Sequence, residues 1–237
     1  MTRRTVQTLV IVGGLATSSP VLAQQALTAK DGTEIQALTA EYARALGACD
    51  AEAYANLFAP ETGYFASNIR GEVVGHEQLV KLVRSERHCT NPARSTAPVQ
   101  FRPSPTVAIT ATASGATGRA DLGGARYDDE YVKTPAGWRF QSRTVMTQPE
   151  IEAGLTAEDT RAIRRLAGSD LGLFDDAYTT GENGVKRFRT AGVELGLSPE
   201  GVTGKASLRN ADGHYEDVYV RAAGGGWRFK SRTYVAD

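Results

Sequence analysis

The sequence predicts an α+β protein in which a group of helices leads into an antiparallel sheet and a second sheet follows. Apolar residues recur at helical spacing between Thr33 and Val83, which is typical of amphipathic helices. From Val99 onward apolar and polar residues alternate with a period of two, which is typical of half-buried strands. A run of this strand-like sequence then occurs a second time, which indicates an internal duplication.

Three helices and two short strands are predicted before the alternating region. Gly47 ends the first helix, Asp50 is placed as the N-cap of the second, and Pro60 stops it. The predicted bounds are a first helix from Thr33 to Gly47, a second from Asp50, strands at 63–67 and 71–75, and a third helix from His76.

The duplication covers a hairpin and the strand before it. YDDEYV at 127–132 and GWRFQSRTV at 137–145 recur as YEDVYV at 215–220 and GWRFKSRTY at 226–234, displaced by 88 and 89 positions. Upstream, GATGRADL at 115–122 parallels GVTGKASL at 201–208, and FDDAY at 174–178 is a weaker third echo. A duplicated sheet of about four strands is predicted.

Strand periodicity assigns faces to the hairpin residues. Tyr127, Asp129 and Tyr131 share one face, which should pack inward with Trp138 and Phe140. The opposite face should carry cross-strand pairs. The pairs predicted are Asp128 with Arg143 and Glu216 with Arg232, whereas a slip of one residue would place Asp129 opposite Arg143 instead.

A helix is predicted between the two sheets. Thr156-Ala-Glu-Asp159 is a capping-box-like start, and Gly168 should stop the helix after Ala167. The second half therefore has one predicted helix and about five strands, without an equivalent of the first helix pair. The second sheet is expected to pack against the first as a pseudo-dimer within the chain, because a sheet with one helix cannot bury both faces alone.

Composition excludes some classes of partner. Lys plus Arg and Asp plus Glu number 27 each, so no basic field favours nucleic acid. The N-terminus is typical of a signal peptide: two arginines, a short apolar run at 8–16 and a small-residue cleavage site that ends at Ala23. We expect a periplasmic or secreted protein without membrane insertion after cleavage.

Export favours a disulfide between Cys49 and Cys89, since both lie at predicted helix ends and only one pairing exists. The alternative is two buried thiols that never meet. His76, His88 and His214 do not have the spacing of metal ligands, and neither a metal nor a cofactor is expected.

The segment YARALGACDAEAYANLFAPE at 42–61 resembles the opening of the SnoaL-like, nuclear-transport-factor-2-like superfamily. GHEQL at 75–79 and the hairpin at 127–140 resemble its third helix and last hairpin. The resemblance covers about residues 33–148. It implies a cystatin-like α+β cone, in which a curved antiparallel sheet wraps around helices and leaves a pocket. The fold hosts enzymes and binding modules alike.

Family members similar to ketosteroid isomerases imply catalytic roles for Tyr42 and Asp129 as hydrogen-bond donors to an oxyanion. The position of the proton-moving carboxylate falls near Ala66 or Ser67, where no general base exists. Asp50 matches an Asp of similar dehydratases whose His partner is absent from 93–101. The expected pocket residues are Tyr42, Tyr54, Phe58, Tyr127, Asp129, Tyr131 and Phe140.

Each candidate also has a structural interpretation. Asp129 recurs at 176 and 217, which is unusual for a dedicated catalytic residue, while Tyr42 can serve packing and Asp50 can serve as a helix cap. The leading hypothesis is an exported protein that binds a small, mostly apolar molecule in the cone, with or without a homodimer. The alternatives are a cofactor-independent lyase or isomerase using Tyr42 and Asp129, and an interaction module with a filled cone. The expected organisation is a signal peptide at 1–23, a linker at 24–32, the cone at 33–148, a junction at 149–155 and the repeat at 156–237.

Overall fold

A computed structural model describes residues 26–90, 107–122, 124–168, 174–180, 190–208 and 212–237. The predicted signal peptide therefore lies outside the described residues. The helices are α1 (Ala29–Gly47), α2 (Ala51–Ala55), α3 (His76–Arg84), α4 (Arg87–Thr90), α5 (Gln148–Glu152) and α6 (Ala157–Gly168). The strands are β1 (Tyr64–Ser67), β2 (Gly71–Val74), β3 (Ala108–Ala111), β4 (Ala116–Leu122), β5 (Ala125–Thr134), β6 (Gly137–Met146), β7 (Phe174–Thr180), β8 (Thr190–Ser198), β9 (Gly201–Leu208), β10 (His214–Arg221) and β11 (Trp227–Val235).

The strands form two sheets, and the five strands of the second follow the same order as the first sheet without its edge strand β2. The first runs β2-β1-β6-β5-β4-β3 and the second runs β7-β11-β10-β9-β8. In each sheet one strand lies parallel to the last hairpin strand: β1 against β6 and β7 against β11. The predicted α+β architecture is confirmed. The second sheet, predicted to be antiparallel, also contains one parallel strand, β7. The segment FDDAY belongs to β7, which takes the sheet position of β1 and not that of the hairpin it resembles.

The duplication also includes a helix, which the sequence comparison of the sheets did not reach. Thr28 and Asp31 form a capping box at the start of α1, and Thr156 and Asp159 form the same two hydrogen bonds at the start of α6. The first helix begins at Ala29, four residues earlier than predicted, because this cap and not Thr33 starts it.

The matched positions of the two helices lie 128 residues apart, against 88 or 89 for the hairpins, so the second copy is shorter by about 40 residues. Ile35 and Leu38 of α1 correspond to Ile163 and Leu166 of α6, and all four are buried. The second half was expected to have no equivalent of the first helix pair, but α6 is an equivalent of α1, the first helix of that pair. The second copy retains the first helix and the sheet, and its described residues contain no equivalent of α2, β2 or α3.

The capping aspartate joins helix to hairpin in both copies. Asp31 accepts hydrogen bonds from Trp138 Nε1 at 2.8 Å and from Lys133 Nζ at 2.7 Å. These bonds hold the pKa of Asp31 well below its ordinary value. In the second copy Asp159 accepts from Trp227 Nε1 at 3.1 Å and from Arg221. Burial raises the pKa of Asp159, but the bonds from Trp227 and Thr156 outweigh burial and the net shift is downward.

A β-bulge corrects the predicted cross-strand pairs. On the side of the hairpin turn Tyr131 pairs with Phe140, but the next residue of β5, Glu130, pairs with Ser142, so Gln141 has no cross-strand partner in β5. Beyond the bulge the faces of β6 exchange, and Arg143 lies opposite Asp129 inside the fold. The prediction of Asp128 opposite Arg143 was wrong, and the one-residue slip is what the structure shows.

The second hairpin has the same irregularity. Tyr219 pairs with Phe229 and Val218 pairs with Ser231, which leaves Lys230 unmatched and places Arg232 opposite Asp217. The predicted pair of Glu216 with Arg232 was wrong for the same physical reason, because one extra residue inverts a strand pattern of period two.

Each half has its own apolar core, and helix α6 lies between the halves. Its apolar side packs on the second sheet, while Thr160 contacts Met146 of β6. Arg161 stacks 4.8 Å over the ring of Tyr64, and Arg165 pairs with Glu72. The expected face-to-face packing of two sheets is not what these described contacts show, because α6 covers the outer face of the first sheet. The predicted junction also contains α5.

Candidate functional site

The aromatic residues predicted to line the cone come together between α1, α2 and the sheet. The ring of Phe58 lies 5.4 Å from that of Tyr54 and 5.2 Å from that of Phe140, and all three side chains are at most 1% exposed. Tyr131 lies 5.4 Å from Phe140. The base of the cone is therefore filled by side chains, as the interaction-module hypothesis requires.

Tyr42 and Tyr127 occupy the other end of this cluster. Their ring centroids are 6.1 Å apart, and the Tyr42 ring also lies 5.0 Å from that of Tyr54. Tyr42 is buried, whereas Tyr127 is partly exposed. The cluster therefore approaches solvent at the Tyr127 end.

Arg143 lies at the centre of the cluster, with its side chain fully buried. Its guanidinium carbon is 4.1 Å from the ring centre of Tyr42, 4.5 Å from that of Tyr127 and 4.7 Å from that of Phe140. Such contacts stabilise a cation through the ring quadrupoles. Strand alternation predicted Arg143 on the outer face, so its place in the cluster was not expected from the sequence. The signal available was the recurrence of SRT at 142–144 and 231–233 after the aromatic positions.

Asp129 is the acidic partner of Arg143. Its Oδ1 lies 3.4 Å from Arg143 Nε, and its Oδ2 accepts a 2.9 Å hydrogen bond from the Tyr131 hydroxyl. Burial raises the pKa of Asp129 to about 6, although the charge of Arg143 and the bond from Tyr131 oppose the shift. A carboxyl with this pKa changes its charge near neutral pH.

The second copy repeats this arrangement with complete pairing. Arg232 donates to both carboxylate oxygens of Asp217, at 2.8 and 3.0 Å, and also to the carbonyl oxygen of Ala167 at 2.9 Å. Tyr219 donates to Asp217 at 2.6 Å, as Tyr131 does to Asp129. The carbonyl is available because α6 ends at Gly168, and the last carbonyls of a helix have no partner within it.

The first copy leaves the same groups without partners. Nε, Nη1 and Nη2 of Arg143 and Oδ1 of Asp129 are buried and make no hydrogen bond to any part of the chain that the structure describes. Thr39 takes the place of Ala167, but α1 continues to Gly47, so the Thr39 carbonyl lies inside the helix. Buried polar groups almost always have a partner, so this cluster has the chemistry of a site that takes up an acceptor.

Of the other two candidate catalytic residues, Tyr42 belongs to this cluster and Asp50 does not. Asp50 caps α2 by accepting from the Ala53 amide at 3.1 Å and lies 3.5 Å from Arg44. The Tyr42 hydroxyl is within the cluster, 3.4 Å from that of Tyr54. Burial raises the pKa of Tyr42 well above its ordinary value, so the hydroxyl stays protonated as a donor. A carboxylate general base beside Tyr42 is not found among the described residues other than Asp129.

The predicted disulfide is present between Cys49 and Cys89, whose Cα atoms are 5.5 Å apart. It joins the end of α1 to α4 and so closes a helical segment that has no equivalent among the described residues of the second copy. The side chain of His88 lies beside it, with Nε2 2.9 Å from the carbonyl oxygen of Leu46. The ligand atoms of Cys49, His88 and Cys89 lie within 4.8 Å of one another, but the two sulfurs are bonded to each other.

Two clefts lie against the strands of the sheets; Asp129 is among the residues that line the first, but Arg143 and the rings around it line neither. A cleft of about 500 Å³ separates β4 and β5 from the start of α6, and one of about 450 Å³ lies over β8–β11. In the first, the Asp128 carboxylate is already paired with Arg126 at 2.8 Å and with Arg119 at 3.3 Å. These clefts therefore do not present the unpaired chemistry of the Arg143 cluster.

The half of the chain that holds the cluster matches a known protein family. A sequence model of the family described as the SnoaL-like domain matches residues 28–144. Residues 28–144 form a SnoaL-like domain. The match begins at the N-cap of α1 and ends within β6, so it includes the whole aromatic cluster and Arg143. The resemblance expected from the sequence is confirmed.

Solved structures similar to this chain cover about half of it. One is a nuclear-transport-factor-2-like protein with a cystatin-like fold from Novosphingobium aromaticivorans, 24% identical over 49% of this chain and 80% of that one, with a TM-score of 0.43. Another, of unknown function and also with a cystatin-like fold, is from Nostoc punctiforme. It is 23% identical over 53% of this chain and 96% of that one, with a TM-score of 0.43. A third is a putative scytalone dehydratase from Novosphingobium aromaticivorans. It is 17% identical over 49% of this chain and 83% of that one, with a TM-score of 0.40. No curated protein matches the chain.

Within the described residues, no helix combines the length and the apolar character that crossing a membrane requires.

Proposed function

We propose that the SnoaL-like domain binds a small, mostly apolar molecule that carries an oxygen acceptor, and that Arg143 holds this acceptor. The observation that carries the proposal is the buried guanidinium whose three nitrogens have no hydrogen-bond partner among the described residues. A buried donor without a partner costs about 1–3 kcal/mol, and more when it is charged. A bound acceptor removes that cost.

The second copy supports this interpretation. Its Arg232 stacks 4.3 Å over the rings of both Tyr215 and Phe229, as Arg143 stacks on its own rings, yet it also finds carboxylate and carbonyl acceptors. The structural role of a buried arginine in this sheet is therefore met by full pairing. Arg143 departs from that role only in its missing acceptors.

The position of the ligand follows from the packing. Tyr54, Phe58 and Phe140 fill the base of the cone, so the apolar body of the ligand lies beside Tyr42 and the partly exposed Tyr127. Flat or ring-shaped molecules match these faces, because offset and edge-on ring contacts stabilise aromatic pairs.

The experiment is native mass spectrometry of the full chain purified from its own host, followed by a crystal structure. We expect an added mass in the wild type and in Arg139→Met, a control in the same strand whose side chain is directed away from the cluster. Arg143→Met should lose the added mass while the protein keeps its circular-dichroism spectrum. A wild type without added mass, whose crystal structure shows only water on the guanidinium, contradicts the proposal.

That contradicting outcome would instead favour an interaction module with a filled cone. The observation that supports this second function is the complete burial of Tyr54, Phe58 and Phe140, whose side chains fill the base of the cone. The enzyme alternative has less support, because Asp129 recurs as Asp217 with the same tyrosine and arginine neighbours. Asp129 therefore does not mark a catalytic centre by its presence alone.

We also propose that the protein is exported. The signal-like N-terminus supports this, and so does the disulfide, since disulfides persist in oxidising compartments. N-terminal sequencing of the protein recovered from the periplasm or the medium should begin at Gln24. Recovery of the uncleaved chain from the cytoplasm alone would contradict export.

A further inference from the structure

We infer that the acceptor held by Arg143 is a carboxylate-type anion and that it enters the cone together with one proton, which Asp129 takes up. This inference rests on the proposed function and names the class of ligand for the same site.

The arrangement of the unpartnered N–H groups of Arg143 supports a carboxylate as the ligand group. The rings of Tyr42, Tyr127 and Phe140 pack within 4.7 Å of the Arg143 guanidinium, so its faces are occupied and the hydrogen-bonding edges remain. A guanidinium edge presents parallel N–H groups that match the two oxygens of a carboxylate. In the second copy the equivalent edge takes a carboxylate in this bidentate way.

In the first copy the internal carboxylate does not take that place. Asp129 directs Oδ2 toward the Tyr131 hydroxyl and approaches a single nitrogen of Arg143 at 3.4 Å, beyond ordinary hydrogen-bond geometry. The bidentate edge is therefore left for an external carboxylate.

Charge balance supports the uptake of a proton together with the ligand. Arg143 and an ionised Asp129 are neutral together, so an added anion would leave one uncompensated negative charge in a buried site, which is costly. The groups that face the pair supply no second cation among the described residues. They are Tyr42 of α1, Tyr54 of α2, Tyr127 and Tyr131 of β5, with Asp128 and Glu86 acting from further away.

A proton on Asp129 resolves both the charge and the hydrogen bonding. The reaction is a simple uptake: the ligand carboxylate, the Asp129 carboxylate and one proton from solvent give a neutral carboxylic acid beside a carboxylate bound to Arg143. The unpartnered Oδ1 of Asp129 then carries the hydrogen and donates it to the ligand. No covalent bond other than that O–H bond is made.

The experiment compares matched anionic and neutral probes on the full chain. Benzoate, cyclohexanecarboxylate and 1-naphthoate, each with its primary amide, are titrated by isothermal calorimetry between pH 5 and pH 8. We expect the carboxylates to bind and to lose affinity about tenfold per pH unit above the Asp129 pKa, because each binding event must then take up a proton. The affinities of the amides should not vary with pH.

Two variants sharpen the result. Asp129→Asn stands in for the protonated acid, so it should keep carboxylate binding at pH 8 and flatten the pH profile. Arg143→Met should abolish binding of the carboxylates, whereas Arg139→Met should leave both affinity and pH profile as in the wild type. Calorimetry in buffers of different ionisation enthalpy should report one proton taken up per carboxylate at pH 7.

The outcomes separate the inference from the proposed function. If the amides bind through Arg143 and the carboxylates do not, the anion inference is overturned and ligand binding stands. Carboxylate binding that is independent of pH in the wild type overturns the proton uptake. If no probe binds and the host protein carries no added mass, both the inference and the proposed function fail.

Discussion

The two copies of the sheet hold the same buried trio of aspartate, tyrosine and arginine, yet only the second completes it. Arg232 reaches its carboxylate in bidentate fashion and a helix carbonyl besides, whereas Arg143 reaches one carboxylate oxygen at 3.4 Å. The difference follows from the length of one helix. Where the helix stops early, its free carbonyl pairs with the arginine; where it continues, Tyr42 lies over the guanidinium instead.

The comparison shows how a structural motif can be converted into a site. In the second copy the trio lies between the sheet and the end of α6, whereas in the first copy a further 40 or so residues extend the first helix and add α2, α3 and the disulfide. The extended α1 brings the Tyr42 ring to the arginine and leaves no free helix carbonyl beside it. The second copy is thus an internal reference for what the trio does when it serves structure alone.

The largest expected effect is on stability when each arginine is replaced by methionine. Arg232→Met leaves Asp217 buried without its bidentate partner and should lower the free energy of unfolding by about 3–5 kcal/mol. Arg143→Met should cost less than half as much, because Arg143 makes no hydrogen bonds to the described residues and Asp129 can protonate. Urea denaturation of both variants checks this, and equal costs would break the comparison.

The disulfide should act on the first copy alone. Replacing both Cys49 and Cys89 by alanine removes a link across a sequence separation of 40. The chain-entropy relation gives a loss of about 3–4 kcal/mol for a loop of that length. Since the chain has two tryptophans, one in each copy, fluorescence of a Trp138→Phe background follows the second copy separately. An equal loss there would show that the halves unfold as one unit.

The pH dependence of stability tests the state of Asp129. Because its pKa in the fold is raised to about 6, the wild type binds a proton that the unfolded chain releases, so stability falls as pH rises from about 4 to about 6. Asp129→Asn removes this term. Relative to the wild type, its free energy of unfolding should therefore improve by about 2–3 kcal/mol between pH 4 and pH 7. Urea denaturation across that range would contradict this if the difference stayed constant.

The link between helix cap and hairpin should be stronger in the first copy. Trp138 is buried and donates at 2.8 Å, whereas Trp227 is partly exposed and donates at 3.1 Å. We expect Trp138→Phe to lower the melting temperature by roughly 3–6 °C and Trp227→Phe by less. Differential scanning calorimetry measures both, and a larger effect at Trp227 would reverse the assignment.

The smallest effect should come from the Tyr42 hydroxyl. It lies 3.4 Å from the Tyr54 hydroxyl, at the limit of hydrogen bonding, so Tyr42→Phe should change the free energy of unfolding by less than about 1 kcal/mol. Carboxylate binding should survive as well, since the ring and not the hydroxyl packs on Arg143. Loss of a turnover activity in Tyr42→Phe, with the fold intact, would revive the enzyme alternative.

Much of the fold was accessible from sequence because its signals are local. Gly47, Asp50, His76 and Gly168 mark helix ends that the structure reproduces within a residue or two. The repeat of GWRF predicted the second sheet. The start of α1 was misplaced because the cap at Thr28 lies before the apolar stripe on which the prediction depended.

The centre of the candidate site was not accessible in the same way. Its position depends on the bulge at Gln141, and strand alternation assumes that no residue is skipped. The aromatic residues of the cluster were predicted because each lies on a continuous apolar face. Whether Arg143 finds an acceptor depends on where α1 ends relative to β6. That relation between two elements cannot be read from the sequence around residue 143.

Two glycines, each paired with the aspartate of its copy, lie directly under a tyrosine ring and restrict which residues either copy tolerates there. A side chain at Gly118 would place its Cβ 2.8 Å from the Tyr131 ring, and one at Gly204 would place it 2.7 Å from the Tyr219 ring. Because a Cβ atom cannot lie this close to a ring carbon, even alanine at either position must displace the tyrosine and with it the hydroxyl that donates to the neighbouring aspartate. A methyl group on β4 or β9 would therefore disturb an ion pair that it never touches.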